Sequence, residues 1–151
     1  MIAPDAPGWT PLCVETLETG PAAVDAFAAA LAGSARPDPV SPRVPATFAF
    51  TVLARPAVVD HLERLARERD AVLVHQAQSF AFAEDLERRC RYTVVIDWQQ
   101  SPKRADRLTL RGRVHRETAD PAAEAALQEF QAEIVLFENR REPTATEAGD
   151  A

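Results

Sequence analysis

The order of the hydrophobic patterns constrains this chain most: one substantial amphipathic helix, then a run of segments that all read as strands. From Pro56 to about Arg69, Val58, Leu62, Leu65 and Ala66 line one helical face, while Glu63, Arg64, Arg67, Glu68 and Arg69 fall mostly on the other. Asp60 with Arg64, and Glu63 with Arg67, add i,i+4 charge pairs that favour a helix weakly. Beyond it the period becomes two. Ala71–Ala83 carries Val72, Leu73 and Val74, then alternates through Gln78, Phe80 and Phe82. In Cys90–Trp98, Cys90, Tyr92, Val94, Ile96 and Trp98 point one way. In Arg107–His115, Leu108, Leu110, Gly112 and Val114 oppose Thr109, Arg111, Arg113 and His115. Gln128–Glu138 closes the set with Phe130, Ile134, Val135, Leu136 and Phe137. Short links between successive strands predict an antiparallel meander, broken by a loop at Gln99–Asp106 and by an Ala-rich one, Glu117–Leu127, with room for a helical turn.

Ahead of the helix the signals are weaker. Residues 1–20 hold Pro4, Pro7, Pro11 and Gly20 and read as an irregular lead-in. Pro21 opens a short amphipathic helix in which Val24, Phe27, Ala28 and Leu31 recur at helical spacing, and Gly33 stops it. Four prolines between Ser34 and Pro45 predict an extended connector. Ala46–Leu53, rich in Thr, Phe and Val, reads as the first strand. Residues 139–151 carry no core-forming side chain and are expected to be a disordered tail, leaving 21–138 as one domain. The class is α+β: about five antiparallel strands that need the Pro56 helix to cover their apolar face.

A chain of 151 residues with 46% hydrophobic and 26% charged residues has enough apolar material for one soluble core. No apolar run is long enough to span a bilayer, and Met1–Asp5 has neither the basic start nor the apolar stretch of a secretory signal. A net charge of −6 argues against a nucleic-acid binder, which needs a concentrated basic face. Cys13 and Cys90 lie far apart without metal-ligand neighbours, so reduced thiols, a cytoplasmic setting and no metal are expected. Five scattered glycines form no phosphate loop, and no nucleophile elbow occurs, so no cofactor is expected.

Two stretches carry a family resemblance. Val44-Pro45-Ala46-Thr47-Phe48-Ala49-Phe50 resembles the V-P-P-T-F-x-F opening of the N-terminal hot-dog domain of MaoC-like dehydratases. Val74-His75-Gln76-Ala77-Gln78-Ser79-Phe80-Ala81-Phe82 is similar to that family's L-H-G-x-Q-x-F-x-Y strand. Asp85-Leu86-Glu87-Arg88-Arg89-Cys90 stands where the family has a P-L-R-A-G-D turn. The resemblance covers roughly residues 10–138, with departures at Ala46, Gln76 and Arg89-Cys90. It implies a hot-dog fold, a sheet wrapped round a central helix, and chemistry on (3R)-hydroxyacyl thioesters of coenzyme A or acyl carrier protein. It further implies a double hot dog in which only one half carries the catalytic Asp and His.

The active half's Asp-x-Asn-Pro-x-His segment lies just before the central helix. Thr51-Val52-Leu53-Ala54-Arg55-Pro56 occupies that place here, with neither carboxylate nor imidazole, so no catalytic residue is assigned. Asp70 and His75 have the right separation but lie after the helix, and their spacing reads as coincidence; His61 and His115 read as surface or satisfied residues. His75 and Gln78, inside the family-like strand, are candidates to line an acyl channel. Arg88, Arg89 and Arg91 are candidates to meet the phosphate of coenzyme A or phosphopantetheine, or an acidic carrier protein. The expected role is the non-catalytic subunit of a two-chain dehydratase or hydratase, partnered by a catalytic MaoC-like chain. The alternatives are a self-dimer that holds an acyl chain without reacting it, and a thioesterase using Glu84, Asp85 or Glu87.

Overall fold

The computed structural model describes residues 8–33 and 43–139. Five strands form one antiparallel sheet: β1 (Thr10–Glu18), β2 (Ala71–Phe82), β3 (Arg91–Gln100), β4 (Arg107–Arg116) and β5 (Gln128–Glu138), in the order β1-β3-β4-β5-β2. Two α-helices accompany it, α1 (Pro21–Ala32) and α2 (Pro56–Glu68), with a 3₁₀ helix, Phe48–Ala54, leading into α2. Each α-helix opens on proline, whose missing N–H costs nothing in a first turn.

The meander expected along the whole strand region holds for β3–β4–β5 only. β2 pairs instead with the far side of β5, from Ala71 opposite Glu138 to Phe82 opposite Gln128. β1 covers the other edge, from Thr10 opposite Trp98 to Glu18 opposite Arg91. The Glu117–Leu127 loop does hold a helical turn, with Ala123 and Glu124 N–H donating to the Asp120 carbonyl.

The inner face follows the predicted alternation. Tyr92, Val94 and Ile96, then Leu108, Leu110 and Val114, then Phe130, Ala132, Ile134 and Leu136 are all buried in one core with Val58 of α2. α2 touches both edge strands, β1 and β2, so the sheet reaches round it from two sides. The outer face is not simply wet. Asp97, 3% exposed, accepts from Arg111 at 2.7 Å and Arg113 at 3.1 Å, and the Arg111 guanidinium lies 4.2 Å from the centre of the Trp9 ring.

Two sequence expectations need correction. Residues 10–18 are strand β1 rather than irregular lead-in: Pro11 falls on an edge strand, where a missing N–H is tolerated, and a bulge between Pro11 and Cys13 absorbs the misfit. Residues 48–54 are 3₁₀ helix rather than strand. Phe48 N–H donates to Pro45 O, Phe50 N–H to Thr47 O, and Thr51 Oγ1 to Phe48 O at 2.8 Å, so backbone and hydroxyl close local rings. Phe48, Ala49 and Val52 are buried by that curl, which explains an apolar pattern that resembles a strand. The segments 1–7, 34–42 and 140–151, which include most of the expected connector and tail, lie outside the described residues.

Candidate functional site

Edge strand β2 holds the residues that the motifs single out. A bulge between His75 and Ala77 changes which residues face inward. Before it, Ala71, Leu73 and His75 lie on the helix side; after it, Gln78, Phe80 and Phe82 do, opposite buried Ala132, Phe130 and Gln128 of β5. A strand with period two would put 75 and 78 on opposite faces; the extra residue, Gln76, brings them together.

Phe50 stands over this row. The curl of the 3₁₀ helix turns its ring toward β2 and β5, with centroids 5.7 Å from His75 at an interplanar angle of 27°, 5.7 Å from Phe80 and 5.5 Å from Phe130. Phe80 stacks in turn on Phe82 at 5.8 Å and 6°. Phe130 has room because residue 112 is glycine: a Cβ there would overlap the ring. His75 is exposed, and its Nε2 lies 3.0 Å from the Ala77 carbonyl, so this nitrogen carries the proton and donates. Gln78 is exposed beside it.

The arginine candidates do not join them. Arg88 and Arg89 lie in the turn between β2 and β3, which Thr19 clamps, and Arg91 opens β3. Thr19 Oγ1 donates to Glu87 O at 2.5 Å and accepts from Cys90 N–H at 3.0 Å, while its backbone exchanges bonds with Arg89 and Cys90. Arg88 is tied to Asp25 of α1 at 2.6 Å, and Arg91 reaches Glu18 at 3.3 Å and Glu117 at 3.8 Å. These two serve ion pairs within the chain. Arg89 is exposed and adopts φ 59°, a left-handed conformation, at the position where the family turn has glycine.

Acid–base candidates elsewhere are dispersed. Asp70 and His75 are five positions apart along extended chain, about 16 Å, and Asp70 binds Asn139 instead. Glu84 pairs with Arg116 at 2.6 Å and Asp85 with Arg43 at 3.8 Å, both at exposed positions. His115 is 2% exposed on β4. The Cys13 thiol is pushed up to about 11 by burial, reinforced by Glu15, and stays protonated at neutral pH. No group of three or more His, Cys, Asp or Glu among the described residues is arranged to hold a metal.

His61 is the histidine whose setting the sequence conceals. Its ring packs on Trp98 at 5.0 Å, and its Nδ1 accepts from Arg64 at 2.9 Å, which fixes the neutral tautomer. Burial first, and Arg64 second, hold its pKa below the usual 6.5. It borders a cavity of about 470 Å³ between α2 and β1, with Leu12, Asp60, Arg64 and Trp98. Phe50 is the other residue the sequence conceals: only the 3₁₀ curl turns it toward His75, and a strand assignment hides that turn.

No protein-family model and no curated protein matches the chain. Solved structures do resemble it. The (3R)-hydroxyacyl-ACP dehydratase complex HadBC of Mycobacterium tuberculosis matches with TM-score 0.55 and 16% identity, over 80% of this chain and 90% of that one. A 1,4-dihydroxy-2-naphthoyl-CoA thioesterase from Synechocystis matches with TM-score 0.53 and 13% identity, over 82% and 80%. A Staphylococcus aureus protein solved in complex with CoA matches with TM-score 0.51 and 9% identity, over 87% and 72%. At such identities the likeness establishes architecture: the chain has the hot-dog fold. No helix among the described residues is long and apolar enough to cross a membrane.

Proposed function

We propose that this chain is the non-catalytic subunit of a two-chain MaoC-like hydro-lyase acting on (3R)-hydroxyacyl or enoyl thioesters of coenzyme A or acyl carrier protein in the cytoplasm. The observation that carries the reading is the segment before α2. Residues 43–56 offer no carboxylate or imidazole, and the 3₁₀ helix fills that place with Phe48, Phe50 and Val52. Thioester hydration needs one group to move a proton alpha to the carbonyl and another to serve the 3-hydroxyl. A companion chain has to bring both. Strand β2 supports the companion: it is a sheet edge of 12 residues without a single charge, with Val72, Val74 and Phe82 between 42% and 56% exposed. The named activities of the dehydratase complex and the thioesterase above support thioester chemistry in general.

Co-expression with a hot-dog chain that carries Asp-x-Asn-Pro-x-His is expected to give a heteromer that hydrates crotonyl-CoA, whereas this chain alone shows no turnover. Robust hydration by the purified chain alone overturns the proposal.

One observation favours a second reading, a self-dimer that holds an acyl chain without reacting it. Turned end for end, β2 matches itself across its bulge: His75 falls opposite Gln78, Leu73 opposite Phe80, and Ala71 opposite Phe82, inner residue on inner residue throughout. Two copies can therefore extend one sheet in register. A homodimer that binds acyl-CoA and gains no activity from any catalytic chain supports this reading over the first. The thioesterase alternative is left without support from Glu84 and Asp85, whose carboxylates pair with arginines on exposed turns.

A further inference from the structure

We propose that Phe50 is a chain-length gate: it closes the inner face of β2 to long acyl tails, so the thioesters this protein holds are short ones. The inference rests on the acyl-thioester reading above. Three features of the ring point to it. Phe50 is only partly buried, although Phe48 and Val52 of the same 3₁₀ helix are buried at 4% and 0%, so it stands at the border between the core and the inner face of the edge strand. It touches aromatic rings from two strands, His75 and Phe80 of β2 and Phe130 of β5, and spans the gap between the 3₁₀ helix and the sheet. Its support is rigid, because Phe130 rests on the backbone at Gly112, where a Cβ would overlap the ring.

The polar and apolar residues are ordered along this face. His75 and Gln78 are exposed: the Gln78 amide N–H can donate to a thioester carbonyl, and His75 Nδ1, whose Nε2–H is held by Ala77 O, can accept from a 3-hydroxyl. An acyl tail that continues inward from them meets Phe50, whose ring centre lies 5.7 Å from that of His75. Short tails end before it. A longer tail has to displace a ring held by three aromatic contacts, and the methylenes beyond that point gain nothing. Each methylene buried without such an obstacle strengthens binding by about fourfold.

The test is calorimetric binding of butyryl-, hexanoyl-, octanoyl- and decanoyl-CoA to the full chain, in the assembly in which it purifies. For the unaltered protein, affinity is expected to rise up to a short tail and then stay flat or fall. Phe50→Ala is expected to restore the rise of about fourfold per methylene through decanoyl-CoA while leaving butyryl-CoA affinity within about twofold. Phe50→Leu, a milder truncation, gives a partial rise and replaces Phe50→Ala if the latter does not fold. Phe27→Leu, at the Phe27–Phe48 contact on the α1 side, serves as the control and leaves the length profile unchanged. Decanoyl-CoA bound by the unaltered protein with a full gain per methylene overturns the gate and leaves the thioester reading standing. Identical length profiles for the unaltered protein and both Phe50 variants also overturn it. Absence of binding to every acyl-CoA in the series overturns the thioester reading itself, and the gate with it.

Discussion

At the scale of single residues, Arg89 and His61 each occupy a costly position. A non-glycine residue at φ 59° carries a penalty of about 1–2 kcal/mol, partly offset because glycine loses about 0.5–1 kcal/mol more chain entropy on folding. Arg89→Gly is therefore expected to stabilise the protein by about 0.5–1 kcal/mol, a rise in Tm of about 1–4 °C by calorimetry. An unchanged or lower Tm would mean that the Arg89 side chain contributes more than its backbone costs. For His61, burial and Arg64 lower the folded pKa below the 6.5 of the unfolded chain, while Glu68 opposes them weakly. Above pH 6.5 both states are neutral at this ring and the difference vanishes. As pH falls below 6.5 the unfolded chain takes up the proton first, so stability is lost on acidification. His61→Phe, which keeps a ring against Trp98, is expected to flatten the acid limb of the Tm-versus-pH curve. The charged groups near the ring come from α2 itself, namely Asp60, Arg64 and Glu68, while β1 and β3 contribute Leu12 and Trp98. A limb of equal steepness in the variant would assign the acid sensitivity elsewhere.

At the scale of elements, α1, α2, β3, β4 and β5 were readable because each repeats one period for about ten residues, and β2 because its apolar and aromatic residues outlast the bulge that shifts its phase. β1 was obscured by Pro11 and by a bulge, so its alternation resumes only at Cys13. The 3₁₀ helix was obscured because Phe48, Phe50 and Val52 alternate as a strand would, while the bonds that curl the backbone leave no mark on hydrophobicity. The site was half legible for the same reason. His75 and Gln78 lay in a recognisable motif, but their common face depends on one extra residue in β2, and their aromatic ceiling on a curl. The ion pairs of Arg88 and Arg91 were not legible, because partners such as Asp25, distant in sequence, cannot be seen from local pattern. The uncharged edge of β2 yields its own prediction. Val74→Lys with Ser79→Lys places two cations on the outward side of that edge, where a second strand would have to bury them. Light scattering is expected to show a monomer, with the far-UV circular dichroism of the unaltered chain. An intact dimer or heteromer would locate the contact elsewhere.

At the scale of the whole molecule, the two faces of the sheet have different tasks. The inner face is apolar from Tyr92 to Leu136 and closes on α2. The outer face buries a carboxylate between two guanidinium groups beneath an indole, an arrangement that aliphatic residues of similar size often match in stability. The apolar alternation by itself gives a sheet laid against a helix, while the candidate site rests on a few positions around residue 50 that the alternation does not distinguish.

The two edges of the sheet differ as well. β1 ends the sheet with Pro11, a bulge, and the carboxylates of Glu15 and Glu18, whereas β2 presents an unbroken uncharged border. Such a sheet accepts an addition on one flank only. A strand added on that flank would leave the polymerisation into fibres that a sheet open on both flanks invites without a second starting point.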